Sequence, residues 1–244
     1  MYHVKSRFTK AVALLVGLLL VLYGVLLFGD HNDPDGEGPF AQWVQEVRRD
    51  LGISLPASDA LGWELVLVND HYSVPEGFPK ELVTLKNGKK VDARIYPDLQ
   101  AMFDAARRNG LELTVRSGYR TKETQKQVLE DKEAEFITEG FSGRDARKLA
   151  REWVARPGHS EHELGLAVDI NAEEDGSPKE ALYSWLVRNS WKYGFICRYP
   201  TEKSEITHVE HEPWHYRYVG KDHARAMYEK NLCLEEYVEL LSKG

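Results

Sequence analysis

The chain has 244 residues, 42% of them hydrophobic, and a formal net charge of -7, which suits one sizeable globular domain with something appended. That acidic balance argues against a nucleic-acid partner, which would favour a basic surface. Two cysteines, Cys197 and Cys233, lack the spacing of a zinc knuckle.

Residues 11–28 form an uncharged apolar run, preceded by Lys5, Arg7 and Lys10 and followed by Asp30. The length is near the lower limit for a membrane-spanning helix, and the positive flank favours the cytoplasm. A cleaved signal peptide usually has a shorter core that ends at small residues, whereas this run ends Leu27-Phe28-Gly29-Asp30. The expected organisation is a cytoplasmic stretch 1–10, a single-pass signal-anchor 11–28 in the cytoplasmic membrane, a flexible linker 29–39 and an extracytoplasmic domain 40–244. Residues 29–39 are acidic and rich in Gly and Pro, with almost nothing apolar to bury. Export would permit a disulfide between the two cysteines, although sequence alone does not pair them. Trp43, Val44, Val47 and Leu51 then fall at helical spacing.

Residues 65–68 read as a short apolar strand and 69–79 as a loop with two prolines. Residues 91–96 alternate like an edge strand. Pro97 suits the first turn of a helix that runs to Asn109, with Gly110 as its stop and Leu99, Met102, Phe103 and Ala106 on its buried face. Residues 111–116 read as a strand that delivers Ser117-Gly118-Tyr119-Arg120. Arg120 thus stands where a strand gives way to a helix, although from residue type alone it reads as a surface ion pair. Residues 121–139 predict a solvated helix with a narrow apolar stripe. Ser142 to Asp145 fits a capping box opening a helix to 155, which Arg156-Pro157-Gly158 breaks.

Chemistry concentrates in Ser160-Glu161-His162-Glu163-Leu164-Gly165-Leu166-Ala167-Val168-Asp169 and in Glu212-Pro213-Trp214-His215. His162, Asp169 and His215 offer two imidazole nitrogens and one carboxylate oxygen, the ligand set of a catalytic zinc ion that keeps a position open for water. Glu212 stands three residues before a proposed ligand, where it can take a proton from that water. Residues 166–170 read as a strand with Ala167 and Asp169 on one face and Leu166, Val168 and Ile170 on the other. Gly165 lets the backbone bend so that His162 folds over the same face as Asp169. No second histidine falls four residues after His162, so this is not the HExxH helix motif. Ser160 either bonds the substrate or shapes the loop. His159 reads as structural, and His208 and His211 as supporting or surface residues.

Ser177-Pro178-Lys179-Glu180 predicts another capped helix, ended by Gly194, whose Leu182, Trp185, Leu186 and Trp191 cover a sheet. Residues 195–199 read as a strand, 201–204 as a turn and 207–218 as a strand broken near Pro213. The break is required, because Glu212 and His215 would face opposite ways in a regular strand. One or two closing helices fill 221–241. The mixed order predicts an α+β fold, a small, mostly antiparallel sheet flanked by helices.

These residues also carry a resemblance. Ser160-x-His162-x-x-Gly165-x-Ala167-x-Asp169 followed by Glu212-x-Trp214-His215 resembles the signature of the zinc-dependent VanY-type D-alanyl-D-alanine carboxypeptidases, a group related to LD-carboxypeptidases, D,D-dipeptidases and the hedgehog amino-terminal domain. Ser117-Gly118-Tyr119-Arg120 with Gln125, Tyr193-Gly194-Phe195 and Arg198-Tyr199-Pro200 match as well, over about residues 65–220. The resemblance implies the same α+β fold, one zinc ion per chain and a peptidoglycan stem peptide as substrate. It implies Arg120 as the group that binds and polarises the substrate, with Gln125 able to supply an amide. The implied reaction is removal of a terminal D-alanine; a tetrapeptide LD-carboxypeptidase, an L-Ala-D-Glu endopeptidase and a non-catalytic binding domain are the alternatives.

Overall fold

A computed structural model describes residues 61–172 and 179–243. The expected anchor, the linker, the helix near 41–51 and the caps at Ser177 and Pro178 lie outside the described residues. Among the described residues, no helix is long and apolar enough to cross a membrane.

The domain is α+β, as expected. A hairpin of β1 (Leu82–Thr84) and β2 (Lys90–Asp92) closes on Asn87-Gly88, a dipeptide that favours tight hairpin turns. Helix α1 (Tyr96–Arg108) carries a proline in its first turn, where the missing N–H costs nothing. Its buried residues are Leu99, Met102, Ala105 and Ala106; Phe103, expected on that face, is only partly buried. Strand β3 (Leu113–Ser117) then leads into a helical hairpin, α2 (Lys122–Thr138) and α3 (Gly143–Trp153). Thr121 caps α2 through Thr124 N, and Ser142 caps α3 through Asp145 N. Helix α3 ends at Trp153, short of residue 155, because Val154 turns extended.

A second sheet holds four antiparallel strands in the order β3-β4-β6-β5, with β4 Ala167–Ala172, β5 Phe195–Cys197 and β6 His215–Tyr218. Leu166, Val168 and Ile170 join Tyr216 and Tyr218 in the main core with α1 and with Leu182, Trp185 and Leu186 of α4 (Lys179–Asn189). Trp191 packs elsewhere. It stacks on Tyr228, at 4.8 Å between ring centroids, beside a smaller core formed with α6 (Lys221–Lys230) and α7 (Leu234–Ser242).

Three expected strands differ. Of residues 91–96 only Val91 and Asp92 are strand, at the end of β2, because the Asp92 carboxylate accepts from Arg94 N and turns Ala93–Ile95 into a 3-10 turn that leads into α1. Residues 65–68 form no strand; Leu65, Val66 and Val68 are buried, but the carbonyls of Glu64 and Val66 accept from Arg217 Nη2 instead of a neighbouring strand. The strand expected over 207–218 exists only as β6. Ahead of it a short helix α5 (Ser204–Thr207) ends at His208, whose φ of 56° turns the chain. Glu212 therefore lies on a loop, where no kinked strand is needed to aim it.

Candidate metal centre

The ladder register explains why the acidic and imidazole groups meet. Asp169 is the cross-strand partner of both Ser117 on β3 and His215 on β6, so the three side chains form one row across three strands. The irregularity between Val115 and Ser117 brings Ser117 into that row. The face opposite carries the apolar core, as period-2 alternation requires.

His162 arrives differently, from a 3-10 turn Glu161–Leu164. Ser160 Oγ accepts from His162 N at 3.3 Å, and the Glu163 carboxylate accepts from Ser160 N and Gly158 N, so the turn is capped in both directions. Gly165 ends the turn at φ 74°, a conformation that L side chains avoid, and an added Cβ would lie 3.1 Å from Asp92 N. Gly118 has a similar constraint. A side chain there would collide with the carbonyl of Lys90, which accepts from Tyr119 N.

Each histidine has one nitrogen committed away from the centre. His162 Nδ1–H donates to Gly118 O at 2.8 Å, leaving Nε2 3.4 Å from Asp169 Oδ1. His215 Nε2–H donates to Glu161 Oε2 at 3.3 Å, leaving Nδ1 3.1 Å from the same Asp169 oxygen. The rings meet edge to face at 4.9 Å. Among the described residues, His162, Asp169 and His215 form the one group of such donors, each offering an atom within 4.8 Å of the others.

That arrangement fits zinc. Tetrahedral ligands about 2.0–2.1 Å from the ion stand about 3.4 Å apart; the two separations from Asp169 are 3.4 and 3.1 Å, and all three donors lie within 4.8 Å of one another. The charges agree. Burial would lower the His215 pKa, but hydrogen bonds to Asp169 and Glu161 outweigh it and raise it to about 9, so the two carboxylates favour positive charge at this ring. Burial would likewise raise Asp169, yet His162 and His215 hold it well below the usual carboxylate range.

Two further groups face the centre. Glu212 Oε2 lies 3.7 Å from His215 Nδ1, and burial, only partly opposed by His215, raises its carboxyl to about 7. Arg120 is held at three points: Nε on Ser117 Oγ (2.9 Å), Nη1 on Gln125 Oε1 (3.2 Å) and Nη2 on Asp169 Oδ2 (3.1 Å). It is thus no surface ion pair. Gln125 is buried, and its Nε2 also donates to Ala155 O at 2.7 Å. These side chains and Ser160 line a cleft of about 160 Å³, to which Val128, Trp153 and Val154 of the helical hairpin region and His208 and Trp214 also contribute. His159 donates from Nδ1 to Asn69 O, and His211 from Nδ1 to Tyr199 O. Neither they nor His208 joins the ligand group. Both cysteines are free thiols.

Residue type does not single out Glu161, nor Arg198, Arg217 and Glu235, which connect to it, and Arg198 enters the sequence reading only through the resemblance. The position of Glu161 between Ser160 and the proposed ligand His162 is the one available signal.

Residues 88–221 match the family model for VanY, the D-alanyl-D-alanine carboxypeptidases. A D-alanyl-D-alanine carboxypeptidase of Enterococcus faecalis is 49% identical over 188 residues, spanning 77% of this chain and 70% of that one. The solved structure of the vancomycin-resistance D,D-pentapeptidase VanY from the VanB-type cassette, in complex with Zn(II), is 50% identical with a TM-score of 0.71, over 72% of this chain and 99% of that one. VanYB in complex with D-alanine-D-alanine aligns with the same identity and TM-score, over 72% and 98%.

Proposed function

This chain belongs to the VanY family of D-alanyl-D-alanine carboxypeptidases, a zinc-dependent peptidase, and from that premise we propose that it removes the terminal D-alanine from peptidoglycan stem peptides. The observation that carries the reading is the convergence on Asp169: both imidazoles and the Arg120 guanidinium reach its carboxylate, with Glu212 beside them.

His162 through Nε2, His215 through Nδ1 and Asp169 through a carboxylate oxygen would hold the zinc ion. When bound, the ion supplies Lewis-acid polarisation of the scissile carbonyl and lowers the pKa of a water molecule. Glu212 takes a proton from the attacking water and passes it to the leaving amine as the C–N bond breaks, which releases D-alanine and a shortened peptide carboxylate. Arg120 has one N–H left on each terminal nitrogen for the charge that develops on the carbonyl oxygen. Gln125 positions Arg120 and offers a second amide N–H to the peptide, and the Ser160 hydroxyl, acceptor for His162 N, donates to the substrate.

The decisive experiment is mass spectrometry of stem pentapeptide and tetrapeptide incubated with the protein, with zinc and with chelator. Chelator-sensitive loss of one alanine from the pentapeptide is expected. Cleavage of the tetrapeptide alone would make it an LD-carboxypeptidase, and no cleavage of either with zinc bound would defeat the exopeptidase reading.

The same reading assigns residues 1–10 to the cytoplasm, 11–28 to an uncleaved signal-anchor, 29–39 to a linker and 40–244 to an extracytoplasmic domain. Its support is the uncharged run behind Lys5, Arg7 and Lys10. Protease added to intact protoplasts should digest the domain; its protection would refute the assignment.

A further inference from the structure

We propose that Glu161 is a positioning residue for the metal centre: a buried carboxylate, fixed by two guanidinium groups, that sets the His215 ring so that Nδ1 faces the ion. The proposal rests on the reading of His215 as a ligand.

Glu161 Oε1 accepts from Arg198 Nε and from Arg217 Nη1, each at 2.8 Å, while Oε2 is 3.3 Å from His215 Nε2. The Glu161 side chain is 1% exposed and both arginines 0%. An ionised carboxylate buried this completely is tolerated only where opposite charges and hydrogen bonds replace its water. Here one oxygen is taken by the two cations, and the other is left to the imidazole. The carboxylate has little freedom to leave that arrangement, so the ring cannot rotate about its Cβ–Cγ bond without abandoning a buried acceptor.

The supports of this carboxylate come from outside the ligand ladder. Arg198 forks onto Glu235 of α7, at 2.9 Å from Nη1 and 2.6 Å from Nη2. Glu235 also accepts from Asn69 Nδ2 at 3.2 Å. Arg217 Nη2 donates to Glu64 O and Val66 O. The closing helix, which carries no group facing the centre, thereby reaches His215 through two intervening side chains. His162 contrasts, since its Nδ1–H goes to the neutral carbonyl of Gly118. An anionic partner makes the imidazole a stronger donor to a metal than a carbonyl does.

The test is zinc affinity of the full chain, measured by competition with a chromophoric chelator for wild type, His215→Ala, Glu161→Gln and Glu161→Asp. Thermal unfolding of each metal-free protein is recorded in parallel. His215→Ala should lose tight binding. Glu161→Gln should bind zinc about 10- to 100-fold more weakly than wild type. Glu161→Asp retains the charge for both arginines but draws the carboxylate back from the ring, so it should fold and still bind more weakly; it decides the matter if Glu161→Gln does not fold. A folded Glu161 variant with wild-type zinc affinity, alongside a His215→Ala variant that has lost it, would overturn the proposal and leave a merely structural ion cluster. If His215→Ala binds as tightly as wild type, the ligand reading itself fails.

Discussion

The helical hairpin α2–α3 and the strand pair β4–β6 both line the cleft, but they are built on different terms. In the hairpin only Gln125, Leu129, Ala146 and Ala150 are buried, and the exposed faces carry charge pairs such as Lys132–Glu135 and Arg147–Glu133. Such pairs contribute well under about 1 kcal/mol each. All four residues of β6 are buried, and its pairing with β4 fixes Asp169 against His215 residue by residue. Of the groups that would hold the ion, Asp169 and His215 sit on this strand pair and His162 on the turn that leads into β4, while Val128 and Trp153 line the cleft from the part with fewer buried residues. Loss of a donor from the ladder or its adjoining turn should therefore abolish chemistry, and damage to the hairpin's cleft-lining Val128 and Trp153 should weaken binding.

The largest effect is expected from His162→Ala or Asp169→Ala, which should remove both stoichiometric zinc and detectable turnover; metal analysis after gel filtration reads the first and product mass the second. Next comes Glu212→Gln, which should keep its zinc and lose about 10²- to 10⁴-fold in kcat. Near-normal turnover in that variant would remove the proton-transfer role. Gly165→Ala probes the bend that carries His162. A left-handed φ at an L residue costs roughly 1–2 kcal/mol, and the close approach to Asp92 N adds to it, so the thermal midpoint should fall by several degrees. The smallest change belongs to the hairpin: Trp153→Ala, an exposed side chain on the cleft, should raise KM about fivefold with kcat and zinc content unchanged. A kcat loss there as deep as that of Glu212→Gln would erase the division between the two regions.

Much of the centre was legible in the sequence because its donors are chemically distinctive and three of its constraints are local. His162, Gly165 and Asp169 lie within one turn and one strand, and the periodicity of Leu166, Val168 and Ile170 placed Asp169 on the face away from the core. Helix α1 was readable from Pro97 and Gly110. The expected strand at 65–68 failed for a tertiary reason, since apolar residues there are buried by packing while a guanidinium from β6 takes their carbonyls. Of the β1–β2 hairpin only Val91 and Asp92 fall within the expected strand 91–96; β1 is not legible although Asn87-Gly88 announces a turn, because a strand of three residues leaves too little alternation to detect. Hardest of all was the Glu161 network. Arg198 pairs with Glu161 and with Glu235, each 37 residues away, and nothing in a lone arginine distinguishes a buried clamp from a solvated ion.

Arg217 carries a consequence for how this domain tolerates insertions and deletions. Its Nη2 grips the carbonyls of Glu64 and Val66 while Nη1 grips Glu161. The approach segment is thus spliced to the sheet at two carbonyls two residues apart, with no strand register of its own to keep. One residue gained or lost between Glu64 and Val66 would pull a carbonyl out of reach and release the guanidinium that steadies Glu161, which makes the spacing of those three positions a fixed gauge for the metal centre.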